Sequence, residues 1–111
     1  MTYDEELADR VREQVLGEKG LSERRMFGGL AFMINGNMAV GASSGGGLLL
    51  RVDPAQTDAL VTDPLAKRFV MREREMDGWL RVDVDATTPD EELERWVRRG
   101  VAYARSLPPK A

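Results

Sequence analysis

Arg24-Arg25-Met26-Phe27-Gly28-Gly29-Leu30-Ala31-Phe32-Met33-Ile34-Asn35-Gly36-Asn37-Met38-Ala39-Val40 is the stretch whose reading decides the fold. Short apolar runs lie on either side of Asn35-Gly36. A two-residue primed turn needs positive φ at both central positions, which asparagine and glycine accept most readily. The stretch therefore predicts two antiparallel strands. A third strand, Leu48 to Val52, follows Ser43-Ser44-Gly45-Gly46-Gly47. That glycine-rich run could offer backbone N–H groups to a phosphate, but a P-loop ends in Gly-Lys-Ser/Thr and opens a helix. Here a strand follows, so the run reads as a flexible meander loop.

Before this segment, Leu7, Val11 and Val15 recur every four residues with Ala8 and Leu16 beside them, so Tyr3 to Leu16 predicts a helix. Asp4, Glu5 and Glu6 suit its positive end, and Gly17 and Gly20 are stop signals. After it, Asp53-Pro54 opens a short helix to about Leu60, with Asp53 as N-cap and Pro54 in the first turn, and Asp63-Pro64 ends it. Phe69 to about Glu75 and Trp79 to Val84 read as a second hairpin around Asp77-Gly78. Thr88-Pro89-Asp90-Glu91 has the form of a capping box, and Leu93, Trp96, Val97, Val101 and Ala104 form the apolar stripe of a last helix closed by Pro108-Pro109. The order helix, three-stranded meander, helix, hairpin, helix predicts one α+β domain over residues 1–111, with a five-stranded antiparallel sheet and helices packed on one face.

Composition narrows the chemistry. A chain of 111 residues suits one core and needs no disulfide or metal staple. It has no cysteine and no histidine, which excludes Cys/His zinc sites, thiolate nucleophiles and Ser-His-Asp triads. Catalysis would have to use carboxylate, lysine, tyrosine or serine groups or an oxygen-held cation, and the sequence calls for no cofactor. Sixteen basic and nineteen acidic side chains give a formal charge of −3, and the isoelectric point is about 5.0. Such a balance disfavours strong duplex DNA binding. The acidic N-terminus resembles no signal or transit peptide, and no run of about 18 apolar residues occurs, so a cytoplasmic protein is expected.

Two features of the later half could carry binding. Arg95, Arg98, Arg99 and Arg105 could make a basic rail, but Glu91/Arg95 and Glu94/Arg98 stand at i,i+4, so a solvated, ion-paired face is expected. Gly100 inside this helix costs about 1 kcal/mol relative to alanine and is expected to let the helix approach the sheet. If Asp77-Gly78 is the whole second turn, Met76 faces Trp79, Arg74 faces Arg81 and Arg72 faces Asp83, while Glu73 and Glu75 fall on the core side. Facing arginines repel unless an acid joins them. An arginine and tryptophan cluster on an open face could hold an acidic peptide, a phosphate or an unstacked base, or Asp83, Glu73 or the first helix could neutralise it.

Arg24-Arg25-Met26-Phe27-Gly28-Gly29, the strand and turn that follow, Phe69, Arg74-Glu75-Met76, Gly78-Trp79 and the closing helix with Trp96 resemble the N-terminal domain family of the TfoX/Sxy competence regulators, from about Glu5 to Leu107. The resemblance implies a two-layer α+β sandwich similar to secretion-chaperone-like domains, with the element order read above. For full-length members it implies a role in switching on DNA-uptake genes with the cyclic-AMP receptor protein. Those members carry a second, helical C-terminal domain that these 111 residues do not include. Within the motif, Gly28-Gly29 fits a close backbone approach or a bulge, Phe27 a core anchor, and Arg25 a helix cap or a carboxylate pair. Structural and binding uses both fit.

The function expected is that of a non-enzymatic interaction module, in transcriptional regulation or as a homodimer, with a small ligand-binding protein or carboxylate-based enzyme as the alternative. Alternation turns Leu30, Phe32, Ile34, Leu48, Leu50, Val52, Leu80, Val82 and Val84 toward the helices. It turns Met33, Leu49, Met76 and Trp79 outward beside Arg74 and Arg81. An apolar face rimmed by charge predicts association with a protein partner or a second copy, and no membrane contact.

Overall fold

The computed structural model describes residues 3–26 and 28–110. Helix α1, Glu5–Val15, starts at Asp4, whose carboxylate accepts the Leu7 N–H at 3.1 Å. Strands β1 (Leu21–Met26), β2 (Gly29–Ile34), β3 (Asn37–Ala42) and β4 (Leu48–Arg51) follow, then a 3-10 turn, Pro54–Gln56, that runs into α2, Thr57–Leu60. Strands β5 (Ala66–Met71) and β6 (Arg74–Val82) lead to α3, Asp90–Ser106. All strand pairs are antiparallel in one sheet of order β1-β2-β3-β4-β6-β5.

The expected α+β class with an antiparallel sheet is what the chain forms, but the sheet has six strands rather than five. The added strand is β1, Leu-Ser-Glu-Arg-Arg-Met, whose four central residues are exposed. It has no buried face to impose a period of two, so alternation could not reveal it. It pairs residue for residue with β2, from Leu21 opposite Ile34 to Met26 opposite Gly29.

The two turns differ from each other. Asn35 (φ 52°) and Gly36 (φ 82°) form the expected primed turn between β2 and β3. Asp77-Gly78 is not a turn; it lies inside β6. The β5–β6 reversal is made by Arg72 (φ 52°) and Glu73 (φ 66°), with Met71 opposite Arg74. Gly78 is used instead in an irregularity where the pairing jumps from Arg68/Leu80 to Phe69/Met76. At φ 84° it packs against Pro54, donates its N–H to Thr57 Oγ1 at 2.8 Å and accepts the Val52 N–H at 2.9 Å. These bonds fasten β6 to the 3-10 turn, and that local bonding outweighs the turn preference of Asp-Gly.

Thr88 does not cap α3 as expected. Its hydroxyl accepts the Asp85 N–H at 3.0 Å, while Asp85 accepts the Thr87 N–H and hydroxyl. The depressed pKa of Asp85 follows from those Thr87 bonds. The helix begins after Pro89, with acids Asp90, Glu91 and Glu92 in its first turn.

The main core lies between the sheet and the helices α1 and α3. Phe32, Leu48, Leu50, Leu80 and Val82 meet Leu7, Val11, Leu93, Trp96 and Val97, all buried. Gly100 seats α3 on the sheet as expected: a methyl there would overlap the Ala39 carbonyl oxygen and the Leu50 side chain. The two ends of the chain meet across this layer. Arg10 donates to the Ala86 carbonyl at 2.7 Å and to Asp90, and Arg105 donates to Glu18 at 2.8 Å and to the Lys19 carbonyl at 3.0 Å. Among the described residues, no helix is long and apolar enough to cross a membrane.

Candidate functional site

The outer face of the sheet was expected to be an exposed apolar surface. Met33 and Leu49 do point to that face, yet they are only 6% and 5% exposed. They form a second buried cluster with Ala31 and Met38, and Met26, Phe69 and Trp79 pack against it. Met26 comes from β1 and Phe69 from β5, the two ends of the strand order, so the sheet curls until both ends cover one cluster. Pairing irregularities at Phe32/Met33 and Arg68/Phe69 provide the bends. The open face expected for Met33 and Leu49 is thus corrected: curl, not a helix, covers them.

The remaining expected residues are distributed over three places. Arg25 stands on β1, exposed, opposite Leu30, and Gly28 is exposed at the turn into β2. Phe27 lies outside the described residues. Gly29 is buried, and a side chain there would overlap the Ala42 carbonyl, so the close approach fits this glycine. Arg72, Arg74 and Met76 sit on the outer part of the β5–β6 hairpin, where Met76 faces Phe69 rather than Trp79. Arg74 faces Met71, not Arg81, and Arg72 is a turn residue that does not face Asp83. The expected arginine repulsion therefore does not arise. Arg81 faces Leu49 and Lys67, and its guanidinium donates to the Gly45 and Gly46 carbonyls at 3.1 and 3.0 Å, holding the glycine loop. Trp79, half-buried, faces Arg51 of β4.

Beyond the irregularity at Gly78, residues 69–76 pair only within the hairpin, because β4 pairs with β6 from Trp79 to Val82. The hairpin is an arm projecting past the sheet. Val70 on it is 55% exposed, one of two large apolar side chains so exposed among the described residues, the other being Leu16. Met71, Arg72, Arg74, Glu75, Met76 and Asp77 line an open groove along the arm. Arg72 and Arg74 have no hydrogen-bond or ion-pair partner among the described residues. At the arm's base Arg68 bonds Asp77 at 2.9 Å and also pairs with Asp58, and both contacts raise its pKa.

Arg10, Arg12, Arg95, Arg98 and Arg105 are ion-paired. Arg12 bonds Glu23 through two nitrogens at 2.8 and 2.9 Å, which holds the Glu23 carboxyl below its usual range. On α3, Arg98 reaches Glu94 at 3.8 Å as expected, but Arg95 pairs with Glu92 and Asp63 instead of Glu91. Asp63 is pulled down by the Leu65 N–H and then by Arg95. Sequence reasoning missed Phe69, Val70, Arg51 and Tyr103 as surface features. Phe69 and Val70 stood in a recognised strand, and only the position of its turn hid the half-burial of Phe69 and the exposure of Val70. Among the described residues, no group of three or more histidine, cysteine, aspartate or glutamate side chains is placed to hold a metal ion.

A curled antiparallel sheet with two long helices on one face and a projecting hairpin defines a small α+β domain. The family model of the TfoX N-terminal domain matches residues 13–104 of the 111-residue chain. The chain belongs to the TfoX N-terminal domain family. Comparisons with curated proteins and with solved structures gave no match.

Proposed function

We propose that this TfoX-like domain is a non-enzymatic interaction module of the cytoplasm, a regulator that acts by taking an extended segment of a protein partner onto the edge of β5. The observation that supports this reading is the contrast between the two edges of the sheet. An edge strand offers unpaired N–H and C=O groups to any passing strand, and charged side chains normally discourage that. β1 carries Ser22, Glu23, Arg24 and Arg25, all exposed. β5 ends in Phe69-Val70-Met71, with Val70 exposed and Arg72 and Arg74 unpaired beside it. Strand addition there would gain main-chain hydrogen bonds, and the free guanidiniums favour acidic side chains on the incoming segment. Transcriptional regulation is the role we assign to such contacts. A second copy of the chain could also add by the same edge.

The test places a photo-crosslinking residue at position 70 and, as control, at position 22, in the native cytosol. The reading expects a protein product from position 70, with none from position 22, and loss of the purified partner's binding on Val70→Lys. A product that is only the chain itself would establish self-association instead. Equal labelling from both edges would sink the proposal. Binding of a random DNA duplex at about 150 mM salt is expected to be weaker than micromolar.

A further inference from the structure

A second locus gathers positive charge without neutralising all of it. An open cleft of about 380 Å³ between the 3-10 turn and α3 is lined by Asp53, Gln56, Arg95, Arg98, Arg99, Ala102 and Tyr103. Positions 95, 98 and 99 share one side of a helix.

The three guanidiniums are not equally free. Arg95 is held by Glu92 at 3.0 Å and Asp63 at 3.1 Å, so it serves as a fixed wall. Arg98 has only the longer contacts, 3.5 Å to Glu18 and 3.8 Å to Glu94. Arg99 is exposed and has no partner among the described residues. Beside the lining, the Arg51 guanidinium lies over the ring of Tyr103 at 5.9 Å and over that of Trp79 at 5.4 Å. Stacking orients a guanidinium without taking up its N–H groups. The one acid in the lining, Asp53, accepts the Ala55 N–H at 2.9 Å as the cap of the 3-10 turn.

We infer that this cleft binds a small phosphate-bearing molecule. Planar guanidiniums bind phosphate oxygens in pairs, and an anion relieves the repulsion among neighbouring cations. Gln56 adds an amide donor and Tyr103 a hydroxyl. Glu18, Glu92, Glu94 and Asp63 flank the arginines and oppose a long polyanion, so the fit is to an isolated phosphate group, not to a nucleic-acid backbone. The site is independent of the β5 edge.

Amide NMR titrations with inorganic phosphate and with pyrophosphate, at constant ionic strength, test it. Saturable shifts are expected at Gln56, Arg99, Ala102 and Tyr103, with pyrophosphate the tighter ligand. Arg99→Glu should weaken binding about tenfold, a change of about 1.4 kcal/mol, and Arg51→Gln should weaken it several-fold. Arg74→Glu, on the distant arm, should bind like the parent. Arg99 is exposed, so its variants should keep the parent melting temperature, and Arg99→Gln provides a milder check. Shifts spread evenly over Arg24, Arg25, Arg72 and Arg74, unchanged affinity in Arg99→Glu, or tighter binding per phosphate by a single-stranded oligonucleotide would each overturn the inference.

Discussion

Leu49 and Leu50 are neighbours on β4 that bury opposite sides of the sheet. Leu50 enters the core under the helices and is fully buried; Leu49 enters the cluster on the other face and is 5% exposed. One face is covered by helices that can be read from their apolar stripes. The other is covered by the sheet's own curl, with β1 and β5 delivering Met26 and Phe69 from its two ends. The difference teaches that alternation assigns residues to a face, while whether that face is dry depends on curvature.

Four measurements would break or sharpen that comparison. Trp96→Ala empties the largest buried side chain of the helix-covered core. It should cost about 3–5 kcal/mol in urea unfolding. The decisive pair is Leu50→Ala and Leu49→Ala. If the outer cluster is a core in its own right, Leu49→Ala should lose about 2–3 kcal/mol, within reach of its neighbour's loss of about 3–5. A loss under about 0.5 kcal/mol, the usual value at the surface, would show the outer face to be open. Thr57→Val removes the acceptor for the buried Gly78 N–H and should cost about 1–3 kcal/mol, by loosening the irregularity that aims the arm. Val70→Lys should change stability by no more than about 0.5 kcal/mol, leaving any loss of association as an edge effect.

Acid should act most gently, and through contacts on the helix side of the sheet. Glu23, Asp63 and Asp85 all have pKa values lowered in the folded chain, chiefly by Arg12, by the Leu65 N–H and by Thr87 respectively. A lowered folded pKa gives stability that is fully present above the unfolded value, about 4, and lost as pH falls through the folded one. With no histidine in the chain, the melting temperature should be nearly flat from about pH 6 to 8 and decline below about pH 4.5. A step near pH 6.5 would contradict this.

Much of the architecture was legible because it rests on local signals. The stripe from Leu93 to Ala104, the Asp53 cap and the Asn35-Gly36 turn are each decided by a few adjacent residues. β1 was not legible, because an edge strand wet on both sides has no pattern to show. The second turn was misread for a different reason. Asp77-Gly78 has the better turn chemistry, but Thr57 and Val52, distant in sequence, bond Gly78 and draw it into the sheet. Arg72 and Glu73 then accept positive φ, at a cost of about 1–2 kcal/mol each. The register error carried into the site: it set Arg74 against Arg81 and placed Met76 beside Trp79, whereas the arm separates them. The cleft arginines were visible at their helical spacing, but Arg51 and Tyr103 come together only through the fold.

The contacts that join α3 to α1 and the loop after it bridge long stretches of chain: Arg10 with Asp90, 80 residues apart, and Arg105 with Glu18, 87 apart. The β2–β3 and β5–β6 hairpins, by contrast, close through two-residue turns. Closing a longer loop costs about 0.6 kcal/mol more for each doubling of its length. During synthesis the sheet is complete once Val82 has emerged, and α3 ends only at Ser106. At about 5–20 residues per second, residues 83–106 take about 1–5 s to follow. For that interval the sheet has α1 on its inner face but lacks α3, the layer that seats on Ala39 and Leu50 through Gly100.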